Sequence, residues 1–123
     1  MNNQAITRMQ LVFKWMAWIC AIGILLQVFL AGLSLFWESS YWASHRAFSR
    51  VVTILQLLML VTSFIARLPV SIRLRSAGLV GMIILMTVTA NLSSGVAYLS
   101  ALHPVIAVVL FLETVSIARK PVG

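Results

Sequence analysis

Two imidazoles are the best candidates for chemistry in this chain of 123 residues: His45 and His103, its only histidines. Neutral imidazole is a good axial ligand for haem iron, and haem takes one such ligand on each face. Gly32 and Gly95 each stand in the apolar run ahead of a histidine, where a missing side chain gives a macrocycle room. Gln27 is a polar residue within an apolar run and can hold the edge of a haem or a quinone. The expected site is therefore haem b, its iron held by His45 and His103, with Gln27, Gly32 and Gly95 around it. Two other readings stay open. The histidines can be ordinary interfacial residues, one of which precedes Pro104. They can also bind a bare metal ion, but two histidines without a nearby carboxylate or thiolate are a poor donor set. Cys20 is the one cysteine, so no internal disulfide is possible.

The elements that must position these residues follow from composition. The chain is 62% hydrophobic and 9% charged, whereas soluble domains carry roughly 25% charged residues. A soluble protein this short cannot hide that much apolar surface. Hydrocarbon is the solvent that suits it. Apolar runs over about 11–36, 45–66, 77–99 and 104–118 predict four membrane spans in one domain, 1–123. A span of ~20 residues crosses about 30 Å. Trp15 and Trp18 mark one interface of the first span, and Trp37, Tyr41 and Trp42 the other. That run is too long for a cleaved leader and lacks a small-residue cleavage site, so it is read as retained. The expected fold class is all-α: an integral membrane four-helix bundle, up-down-up-down.

Charge gives the orientation. Arg8, Lys14, Arg67, Arg73, Arg75, Arg119 and Lys120 fall on one side of the bundle; Arg46 and Arg50 fall on the other. The positive-inside rule then predicts cytoplasmic N and C termini in an inner (plasma) membrane, with both histidines towards the outer face. The net charge of +7 is thus explained by membrane topology, and no basic stripe interleaved with aromatics suggests nucleic acid. One geometric objection to a shared ligand remains. Arg67 follows His45 by 22 positions and Arg119 follows His103 by 16. With level basic ends, the histidines would differ in depth by about 9 Å.

Other polar residues in the spans need partners. Gln27 and Gln56 are placed at similar depth and are expected to face each other. Glu113 is expected near Arg119 or Arg67. Residues 87–95 look like a seam of small polar residues that packs closely. The segments Ile65-Ala66-Arg67-Leu68-Pro69 and Ile117-Ala118-Arg119-Lys120-Pro121 suggest two tandem helical hairpins, each with its histidine at the start of the second helix.

No nucleotide loop, metalloprotease helix, cysteine ligand pair or nucleophile elbow is present, so no catalytic residue is assigned and independent enzymatic activity is not expected. The stretch 27–36, then His45-Arg46-Ala47, then Leu102-His103-Pro104-Val105 resembles small uncharacterised four-helix bacterial membrane proteins that carry a domain of unknown function. That resemblance implies the fold and no activity. The layout is also similar to b-type membrane cytochromes, which implies His45 and His103 as axial haem ligands. Two functions are expected: electron transfer or redox sensing at a haem, with a quinone or another membrane subunit completing the path, or a non-catalytic accessory subunit in a larger membrane complex. The lipid bilayer is a partner under either.

Overall fold

The computed structural model describes residues 1–92 and 94–121. They form four α-helices: α1 (Asn3–Phe36), α2 (Tyr41–Ile65), α3 (Val70–Ala90) and α4 (Leu102–Ala118). A 3₁₀ segment, Ser94–Ala101, leads into α4 and kinks at Val96. Four helical stretches are long and apolar enough to cross a membrane, the last being Ser94–Ala118. The fold is the expected all-α four-helix bundle.

Each helix has a local reason for its ends. The Asn2 side chain accepts a hydrogen bond from the Ala5 amide and caps α1. Trp37 and Glu38 both donate to the Leu33 carbonyl, which closes α1 and starts a tight turn into α2. At the end of α2, Arg67 takes a left-handed conformation (φ 50°), Arg67 N–H bonds the Phe64 carbonyl and Leu68 N–H bonds the Ser63 carbonyl. Helices commonly end this way, but normally with glycine at the left-handed position. Pro69 follows and starts α3, its carbonyl taking bonds from Ile72 and Arg73. The α3 helix therefore begins at Val70, ahead of the apolar run expected from about 77, and carries Arg73 and Arg75 in its first turns. The Arg73 side chain is held by the Leu68 carbonyl at 2.8 Å and by the Phe64 ring at 5.3 Å.

The left-handed Arg67 yields a test. A side chain costs roughly 1–2 kcal/mol in that conformation, and glycine does not bear this cost. Arg67→Gly should stabilise the bundle by about 1 kcal/mol after the entropy of the unfolded glycine is deducted. Reversible unfolding in detergent measures it, and a destabilised variant would show that the arginine side chain, not the backbone, governs this turn.

The third span ends earlier than expected. Asn91 caps α3, and its side chain bonds the Thr87 carbonyl at 2.7 Å. Asn and the small polar residues after it compete with helix backbone bonds. Residues 94–99, read as the end of the third span, instead belong to the run that leads into α4. The expected close-packing seam is split: Thr89 is buried, while Thr87 is exposed and bonds its own helix at the Ile83 carbonyl. Ser93 of that seam lies outside the described residues.

Packing arranges the helices as a square. α1 and α3 each lie against α2 and α4, and α2 and α4 occupy opposite corners. Cross-helix contacts set the directions. Gln10 reaches the Ala66 carbonyl, Gln56 the Cys20 sulfur, and His45 the Gln27 carbonyl, so α1 and α2 are antiparallel. His103 to Met86 and Arg75 to Glu113 make α3 and α4 antiparallel too. Small residues on α1 allow close approach: Ala17 and Cys20 are fully buried, and a Cβ on Gly23 would meet Val52 at 3.3 Å. Met59, Leu79, Leu110 and Thr114 complete a core in the half of the bundle nearer the termini. The other half is less filled, and the histidines lie there.

Candidate functional site: two histidines across an open bundle end

His45 stands in the second turn of α2 and His103 at the start of α4, on opposite corners of the square. Their ring centroids are 6.4 Å apart, inclined at 57°. The expected 9 Å mismatch in depth is therefore absent at the rings. Arg67 and Arg119 are therefore not level markers for the two histidines.

The two rings are held alike. His45 Nδ1 lies 3.0 Å from the Gln27 carbonyl, and His103 Nδ1 lies 3.0 Å from the Met86 carbonyl. A carbonyl oxygen only accepts, so each Nδ1 carries the hydrogen. In the neutral ring, Nε2 is then the bare nitrogen with its lone pair. Backbone bonds of this kind orient ligating histidines and fix their tautomer. Each histidine reaches back to the helix before it, over 18 and 17 positions, so the two hairpins use one device twice. Trp42, one turn before His45, sets its ring edge against the imidazole, with centroids 5.5 Å apart at 88°.

Both histidines border a cleft of about 540 Å³ at this end of the bundle. Binding sites for small molecules and cofactors run from about 300 to 1,000 Å³. Its walls are mostly apolar, with Ile24, Val28, Val52, Ile83, Met86 and Leu110 among them. Gln27, Arg46, Ser49, Thr53 and Asn91 supply polar groups. Gln27 contributes twice. Its carbonyl holds His45, and its side-chain Oε1 is buried without a hydrogen-bond partner. A buried acceptor left unpaired costs on the order of 1–3 kcal/mol, so a donor from a bound molecule would be favourable there.

The other residues read from the sequence fall elsewhere. Gly32 and Gly95 do not border the cleft, and a Cβ on either would meet nothing within 4 Å. Gln56 does not pair with Gln27. It donates to Cys20 Sγ at 3.4 Å in the closed half of the bundle, and its Oε1 has no partner. Glu113 pairs with Arg75 at 2.8 Å rather than with Arg119 or Arg67, because the early start of α3 puts Arg75 opposite it. Among the described residues no cluster of three His, Cys, Asp or Glu could hold a metal ion. The sequence reading missed Trp42, Arg46 and the Met86 carbonyl. Trp42 could have been found, since residues three apart share a helix face. A backbone carbonyl has no side-chain signature, so the sequence carried no signal for it.

A model of a family of unknown function, DUF6220, matches residues 27–93, more than half of the chain. The chain belongs to the DUF6220 family. No curated protein and no solved structure matches it. The DUF6220 match contains Gln27, His45 and Met86, and it ends before His103. The end of α1 from Gln27 and all of α2 and α3 thus lie within the family region, while most of α1 precedes it and α4 lies beyond it.

Proposed function

We propose that this protein is a membrane haem carrier that binds one b-type haem between His45 and His103. One observation carries the reading: two histidines from opposite helices stand 6.4 Å apart at their centroids, each held by Nδ1 so that Nε2 is bare. Metal–imidazole bonds are about 2 Å long. Allowing roughly 1 Å from each nitrogen to its ring centre, two rings on opposite sides of one metal have centroids about 6 Å apart. The cleft volume and its apolar walls suit a macrocycle, and Arg46 on its border is a cation for acidic haem substituents. With only two histidines as donors, a metal that brings four equatorial ligands of its own is a better match than a bare ion.

The bound group would supply one-electron chemistry, and the chain would supply orientation, an apolar setting and exclusion of water. The charge pattern favours an inner-membrane bundle with both termini cytoplasmic, so the haem lies near the outer face. A single haem there does not span the membrane. A quinone or a second membrane protein must complete an electron path, or the haem serves as a redox sensor.

The absorbance spectrum of detergent-purified protein from haem-replete cells tests this. The expected result is a Soret band, with sharp α and β bands after reduction by dithionite. A colourless, folded protein overturns it. If that colourless protein instead co-purifies with stoichiometric membrane subunits, the accessory role is the correct one.

A further inference from the structure

A second cavity lies at the opposite end of the bundle, remote from the histidines and independent of the haem reading. It has a volume of about 220 Å³ and sits where the third and fourth turns of α1, the α2–α3 turn and the end of α4 converge. Phe13, Leu68, Ile72 and Ile117 form apolar walls, and Lys14 and Lys120 stand at its border. Among the described residues neither lysine meets a carboxylate. The chain has only two acidic side chains. Glu113 is paired with Arg75, and Glu38 belongs to the α1–α2 turn at the far end. Ser71 also borders the cavity, in the first turn of α3, where the Val70 and Ser71 N–H groups precede the first helical bonds, those of Ile72 and Arg73 to the Pro69 carbonyl.

We propose that this cavity binds the headgroup of an anionic phospholipid. The phosphate meets Lys14, Lys120 and the first turn of α3, and the acyl chains continue along the apolar helix surface. Basic pockets between membrane helices favour such headgroups, and each nearby lysine adds an attraction of order 1 kcal/mol. A zwitterionic headgroup carries its own cation against the lysines. A soluble anion could not use the apolar walls.

The test uses the full chain in nanodiscs of phosphatidylcholine containing a minor fraction of phosphatidylglycerol, followed by extraction in mild detergent and quantification of retained lipid. Retained phosphatidylglycerol should be enriched roughly thirtyfold over its bulk fraction, the scale that two lysines supply. Lys14→Gln/Lys120→Gln should abolish the enrichment, and the equally discharged Arg8→Gln/Arg50→Gln should keep it. Equal loss in both variants, or no enrichment in the original chain, overturns the proposal. Lys120→Gln alone, beyond the end of α4, keeps the test decisive if the double variant fails to fold: it should lower the enrichment several-fold. Inorganic phosphate is the remaining arm. If it raises the melting temperature in pure phosphatidylcholine discs as much as phosphatidylglycerol does, the site takes a free anion and the lipid assignment fails.

Discussion

His103→Ala should empty the protein of haem, and His45→Ala should do the same. A low-spin iron needs both axial nitrogens, and loss of a metal-binding partner typically lowers affinity by factors of ten to a hundred or more. The α and β bands of the reduced protein should fall at least tenfold in either variant. The fold should survive. Each substitution removes one hydrogen bond to a backbone carbonyl, worth about 1 kcal/mol in a membrane interior, and the closed half of the bundle, built on Met59, Leu79 and Thr114, is untouched. Circular dichroism checks this. Free imidazole added to the alanine variants should restore the bands, because the deleted ring leaves a space of its own shape. His103→Met gives a finer result: a thioether ligand keeps six-coordinate iron but raises the reduction potential. If haem stays bound in both alanine variants with an unchanged spectrum, the iron is held elsewhere.

Much of this arrangement was legible in the residue types, and the failures have a common cause. Composition and charge spacing predict four helices because hydrocarbon leaves the backbone no other partner for its amides. The histidine pair stood out because polar rings are rare in such runs. Side-chain facing was harder to read. Gly32 and Gly95 lie on the right helical stretches and yet point into open space. In a membrane helix, the lipid side is as apolar as the core, so no periodicity distinguishes them. Gln27 and Gln56 failed as a pair because they lie at different depths: Gln27 is level with His45 and Gln56 with Cys20, about 10 Å apart along α1. The depth of His103 was misjudged because basic residues were taken as level markers. Arg67 is itself the left-handed residue, one past the Ala66 cap of α2, whereas Arg119 caps α4, so the two do not hold equivalent places at their helix ends.

The pair formed by Arg75 and Glu113 should be the other place where single changes are costly. Arg75 donates from Nε at 3.1 Å and from Nη2 at 2.8 Å to one carboxylate oxygen, and Nη2 also donates to Ser116 at 2.8 Å. The side chains are 25% and 44% exposed, on the seam between α3 and α4. In water such exposure would make the pair worth little. At the edge of hydrocarbon, the exposed side meets lipid, and the alternative to pairing is a lone charge. Glu113→Leu should cost about 2 kcal/mol, less than the 3–5 kcal/mol of a fully buried broken pair, because the arginine can extend towards the headgroups. Arg75→Leu should also destabilise, by about 1–2 kcal/mol, below the fully buried case, since Glu113 loses its partner on α3 but is 44% exposed. The double variant should recover most of the stability, giving a coupling energy of about 1–2 kcal/mol in a double-mutant cycle. Unfolding in mixed micelles measures all four proteins. Additive losses would mean that lipid headgroups, not the partner helix, satisfy the two charges. Recovery would show that the two charges are coupled across the seam between α3 and α4.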